Sequence, residues 1–193
     1  MRALIIAGLF LVFTSAQAQI YTAKSGSTTI SFHSAAPMED IDATNKGAII
    51  VLRASTNDVQ VRVTIENFKF KNALMEEHFN ENYMETNKKV DVNGAATYPN
   101  KYAEFKGKIS ETIDYNSQGE YKVTLVGKLN MHNVTRDVTI SGTLTKKGND
   151  LIISSTFKVK VADYEIKVPS MYVKNIAEEV DITINSVLEP MKK

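Results

Sequence analysis

Cysteine is absent from this chain of 193 residues. That excludes disulfides, thiolate catalysis, thiolate-bound zinc and a lipid on an N-terminal cysteine, so burial alone must hold the fold together. An excess of either charge is absent too, with 23 basic against 22 acidic side chains. Lacking the long-range field that phosphates or anionic headgroups respond to, the protein is not expected to bind nucleic acid. Also missing is any apolar run of the roughly twenty residues that a membrane-spanning helix needs. The longest, Ala3 to Phe13, stops short and is broken by Thr14 and Ser15. With Arg2 before it and Ala16-Gln17-Ala18 after it, this run reads as a signal peptide over residues 1–18, so the mature chain is expected to start at Gln19 and to be exported. Arg2 leaves with the peptide, and the mature chain is then neutral, with 22 side chains of each sign.

Alternation with a period of two is the dominant pattern that is present, and it belongs to strands with one wet and one dry face. Tyr121, Val123, Leu125, Gly127, Leu129 and Met131 share one face, against Lys122, Thr124, Lys128 and Asn130 on the other. The next two segments repeat it through Val134 to Leu144 and Leu151 to Val161, with turn residues between. Weaker versions occur at 28–34, 48–53, 59–65, 103–109 and 180–188. These eight strands form residues 19–193 into one domain. The fold class is all-β: an eight-stranded antiparallel up-and-down barrel, favoured over a sandwich because closure removes exposed edges. Lysines, threonines and aspartate at strand centres put water outside, not lipid, so the chain is not expected to span a membrane. Gly127 and Gly142, both inward, take volume out of the interior.

Apolar parity slips between Ile65 and Phe68, which predicts a bulge or bend near Asn67. Asn72 then caps a short helix reaching about Met84, with Met75, Phe79 and Tyr83 spaced i, i+4 on its buried stripe. Asn87 to Thr97 reads as a surface loop, and Met171 to Ile176, after Pro169, as a turn or short helical piece.

The segment from Met75 to Thr86 packs one histidine among four glutamates. Acid–base catalysis with His78 as the base needs such neighbours. No nucleophile motif, phosphate loop or dinucleotide fingerprint accompanies them, so a solvated helix face is the preferred reading and no catalytic residue is assigned. His33, His78 and His132 are the only imidazoles, and neither a metal site nor a cofactor is expected. His132, in a His-Asn-Val-Thr turn, reads as a structural tie.

The segment around His78-Phe79, the pair Tyr98-Pro99 followed by Phe105-x-Gly107, and Gly127-x-Leu129-x-Met131-His132-Asn133-Val134-Thr135-Arg136-x-Val138 together resemble the YceI-like family. Phe157-x-Val159, Asp163-Tyr164-x-Ile166 and the terminal Val180-x-Ile182-x-Ile184 continue the resemblance across the mature chain. Tyr21 stands where the family usually has a tryptophan. The resemblance implies an extended lipocalin-like barrel, exported to the periplasm, whose tunnel holds a polyisoprenoid chain. Pattern alone favours a dry, filled interior, because core and lumen residues alternate identically; the resemblance reverses that order.

The expected partner is therefore an isoprenoid or other long-chain lipid, carried or sequestered rather than chemically changed. The expected walls are Phe32, Phe68, Phe70, Phe105, Leu125, Leu129, Met131, Ile140, Phe157 and Ile182, with Met75, Phe79, Tyr83 and Met84 closing one end. His78 and Asn82 are the expected polar contacts for a head group at the mouth. A hydrolase or isomerase using His78, and an interaction protein with a filled core, are the alternatives. The sequence leaves the oligomeric state open, a homodimer included.

Overall fold

A computed structural model describes residues 19–35, 40–167 and 177–191. The 1–18 peptide and the Met171–Ile176 piece lie outside the described residues. The first six strands are β1 (Ile20–Ala23), β2 (Thr29–Ser34), β3 (Ile41–Asn45), β4 (Ile49–Arg53), β5 (Asp58–Thr64) and β6 (Lys69–Phe70). After them come a helix α1 (Ala73–His78), a small hairpin of β7 (Val90–Val92) and β8 (Ala95–Thr97), and then β9 (Tyr102–Ile109). The long strands β10 (Gly119–Met131), β11 (Val134–Lys147), β12 (Asp150–Lys160) and β13 (Glu179–Pro190) complete the wall.

An eight-stranded antiparallel barrel closes through β1, β4, β5, β9, β10, β11, β12 and β13, with β13 pairing back onto β1. The first ribbons are broken rather than single. β1 and β2 lie end to end along β13, and β3 and β4 lie end to end along that pair. Asn45 makes the second break. Fully buried, it donates to Thr64 O at 2.8 Å and accepts from Gly47 N at 2.8 Å, so its amide replaces ladder bonds that the kink removes. The parity slip after Ile65 is a 3₁₀ turn, Ile65–Asn67, separating β5 from β6.

β10 and β11 meet at Met131-His132-Asn133-Val134, where His132 and Asn133 both have positive φ (52° and 60°). That is the geometry of a type I′ hairpin, whose twist matches its strands. The expected surface loop from Asn87 to Thr97 contains a second such hairpin, β7–β8, turning at Asn93-Gly94 (φ 53° and 83°).

Two glycines solve a packing problem where β9 lies against its neighbour β10. Gly107 pairs with Gly127, and a Cβ on Gly107 would stand 2.5 Å from Val126 O and 2.6 Å from the Phe105 ring. Gly127 thus serves strand contact instead of enlarging the lumen. Gly142 does line the interior.

The β11–β12 ladder is incomplete. It runs from Lys147↔Asp150 to Gly142↔Ser155 and then parts: the rest of β11 stays on β10, while the rest of β12 stays on β13. At the fork the Ser155 hydroxyl donates to Ser141 O at 2.7 Å.

Apolar side chains collect in two clusters inside the wall. Tyr21, Leu52, Leu144, Leu151 and Leu188, each at most 2 % exposed, pack the closed end. The other cluster, around Phe68 and Met84, lies beneath the helix. Tyr21 does there what a larger aromatic would do: its ring stacks on Tyr115 (centroids 6.1 Å apart) and lies under the Lys146 ammonium at 5.3 Å.

Candidate ligand cavity

Between the two clusters lies a cavity of about 540 Å³. Leu52, Leu144 and Leu188 form its floor and Phe79 and Met84 its roof. Every wall residue expected from the sequence lines it: Phe32, Phe68, Phe70, Phe105, Leu125, Leu129, Met131, Ile140, Phe157 and Ile182. So do Met75, His78, Phe79, Tyr83 and Met84. Asn82 does not; it is exposed on the outer side of the helix, because Phe79–Tyr83 is a π-helical turn, whose wider winding keeps Tyr83 in line with Phe79 but turns the intervening Asn82 away from the stripe.

Sequence reasoning also passed over lining residues such as Ile30, Val63, Ile109 and Ile153. Their alternation was visible, but any inward position carries the same signal. Ser34 and Ile41 also line it; they pair at the end of the β2–β3 ladder, where the pattern is too short to read.

The roof is held by specific contacts. Asn72 Oδ1 accepts from Leu74 N at 2.8 Å, capping α1, which continues through a π-helical turn, Phe79–Tyr83. Phe79 stacks on Phe32 (5.6 Å, 20°) and meets Phe68 and Phe70 at 5.8 and 5.0 Å. Outside this aromatic cluster the glutamates act as ties. Glu76 accepts from Lys69 Nζ at 2.5 Å and from Phe70 N at 3.3 Å, fastening α1 to β6; the lysine contact holds its carboxyl below the usual range. Glu85 pairs with Lys88 at 2.8 Å, which lowers its pKa, and reaches His132 Nε2 at 3.3 Å. His132 Nδ1 in turn contacts Tyr164 O at 3.0 Å. The polar run is therefore largely scaffold, and His132 is a structural tie. Glu77 and Glu81 remain exposed, with no ion pair among the described residues.

His78 is half-buried and lines the cavity. Among the described residues, no group of three or more His, Asp or Glu side chains is placed to hold a metal. No helix among them is long and apolar enough to cross a membrane. The outer wall is charged, with Arg62–Glu104, Lys128–Asp137 and Lys158–Asp181 pairs at 2.6, 2.7 and 2.9 Å.

A family model described as YceI-like domain matches residues 13–188. Among solved structures, a polyisoprenoid binding domain from Saccharophagus degradans, implicated in plant cell wall breakdown, superposes with a TM-score of 0.71 at 11 % identity. The match covers 89 % of this chain and 98 % of that one. BcnA of Burkholderia cenocepacia matches with a TM-score of 0.67 at 13 % identity, over 86 % and 98 % of the two chains. The YceI protein of Campylobacter jejuni matches with a TM-score of 0.51 at 17 % identity, over 76 % and 81 %. No curated relative matches the sequence.

Proposed function

This chain belongs to the YceI-like family, and from that premise we propose that it is a non-enzymatic carrier that holds a polyisoprenoid or similar long-chain amphiphile in its barrel. The observation that carries the reading is the cavity of about 540 Å³ walled by Phe, Leu, Ile, Val and Met side chains. Such a space rewards an apolar chain: each buried methylene contributes about 0.8 kcal/mol, comparable to the roughly 1 kcal/mol net of one hydrogen bond. The tail therefore sets the affinity and a head group sets the orientation. The polyisoprenoid-binding description of the Saccharophagus degradans domain supports the same ligand class.

The reading includes export, from the 1–18 peptide, and sequestration or carriage of the lipid outside the cytoplasm. Organic extraction and native mass spectrometry of protein purified from its own source test it. A co-purifying long-chain lipid at near-stoichiometric level is expected; protein reproducibly free of one overturns the proposal.

A further inference from the structure

The parting of β11 from β12 leaves a cleft of about 320 Å³ in the side of the barrel. Leu129, Ile140, Phe157 and Val159 line both this cleft and the central cavity. A chain lying in the cavity thus reaches the cleft between two strands without breaking a ladder bond, since β11 and β12 share none beyond Gly142↔Ser155. The fork is built, not frayed. Ser155 supplies a hydroxyl to Ser141 O where a strand N–H would otherwise be needed, and the far end is closed by the 3₁₀ turn Val161–Tyr164. Two carbonyls of that turn are held from the β10–β11 side, Asp163 O by Arg136 Nε at 2.7 Å and Tyr164 O by His132 Nδ1 at 3.0 Å.

The charges on this cleft differ from those around the roof. Arg136, Asp137, Lys158, Lys160 and Asp163 all line it. Asp137 is neutralised by Lys128 and Lys158 by Asp181. Arg136 and Lys160 have no carboxylate within ion-pair distance among the described residues, and Asp163 is the one carboxylate left on the rim. Arg136 is also out of pattern. It sits in the inward register of β11, with Val134, Val138 and Ile140, opposite Leu129, where an apolar residue would complete the wall. A guanidinium there makes sense beside a passage to water. Over the roof, by contrast, the exposed Glu77 and Glu81 disfavour an anion at that end.

We propose that the cleft between β11 and β12 is a lateral exit for the head group of the bound lipid, and that this head group is anionic, of the phosphate or carboxylate class, received by Arg136 and Lys160. This rests on the tail occupying the barrel as argued above. A planar, always-charged guanidinium suits bidentate contact with such a group, and the lysine adds a mobile point charge.

Calorimetric titration of delipidated protein with farnesyl phosphate and with farnesol tests the proposal, since the two probes share a tail and differ in charge. Wild type should prefer the phosphate by about tenfold or more, equivalent to one strong charge-assisted contact. Arg136→Gln with Lys160→Gln should abolish that preference while leaving the farnesol affinity within about twofold, and Arg136→Lys alone should keep part of it. Equal affinity of wild type for both probes overturns the inference, as does a preference that survives the double variant. A preference lost instead in His78→Ala places the head at the roof and also overturns it. If wild type binds neither probe, the carrier reading fails and this inference with it. Binding of farnesol without discrimination sinks only the lateral exit.

Discussion

Phe79, on the turn that ends the helix, stacks on Phe32 of β2 with ring centroids 5.6 Å apart and planes 20° apart. This contact fastens the roof to the wall, and both rings face the cavity. Whatever enters or leaves past the helix must disturb it.

Replacing Phe79 by alanine should therefore act on both stability and retention. A large aromatic lost from a core costs about 3–5 kcal/mol. Phe79 is only half-buried, and about 2–3 kcal/mol is expected in urea denaturation. Lipid release, followed by transfer to acceptor vesicles, should become faster than in wild type. Unchanged release would show that the roof does not gate the cavity.

The hollow interior has its own mutational signature. Leu151 is fully buried and does not line the cavity, whereas Leu125 lines it. In ligand-free protein Leu151→Ala should cost about 2–5 kcal/mol, and Leu125→Ala less than about 2 kcal/mol, because its side chain already borders empty space. Equal losses would indicate a filled core.

His132 is held between Glu85 and Tyr164 O and is itself in a left-handed conformation, φ 52°. Asparagine tolerates that backbone, so His132→Asn removes the two side-chain contacts without straining the turn. A loss of about 1–3 kcal/mol is expected from breaking these partly buried bonds. Faster amide exchange around Thr86 and Tyr164 should accompany it. A variant as stable as wild type would contradict the structural role.

On the outer wall, His33 and Asp42 form a cross-strand pair at 2.8 Å. The hydrogen bond to Asp42 raises the His33 pKa above its ordinary value of 6.5. A raised folded-state value means that the pair's contribution is fully present below pH 6.5 and is lost as pH rises through the higher, folded pKa. NMR titration should place His33 above 6.5, and Asp42→Asn should return it toward that value. A His33 that titrates identically with and without Asp42 would contradict the pairing.

How far the sequence showed this molecule depended on segment length. Long strands such as β10 announced themselves through six inward positions, and the helix through Asn72 and the Met75–Phe79–Tyr83 stripe. β1 was missed because it has only four residues, and β3 because, of its inward positions Ile41, Ala43 and Asn45, only the first looks like core. Fifteen of the sixteen expected site residues line the cavity because inward parity on the strands and the buried side of the helix select them whether the barrel is full or empty. Emptiness itself depends on the sum of side-chain volumes against the barrel's circumference, which no single alternation reveals. The β11–β12 fork was equally invisible, since Thr156 to Lys160 alternate as well against one neighbour as against two.

The most direct test of the central claim is diffraction from crystals of the protein purified from its own source. Continuous tubular density should occupy the space between Leu188 at the floor and Phe79 at the roof, with no protein side chain in it. A lumen closed by the protein's own side chains, with Leu125 and Leu129 packed against the opposite wall, would contradict the account.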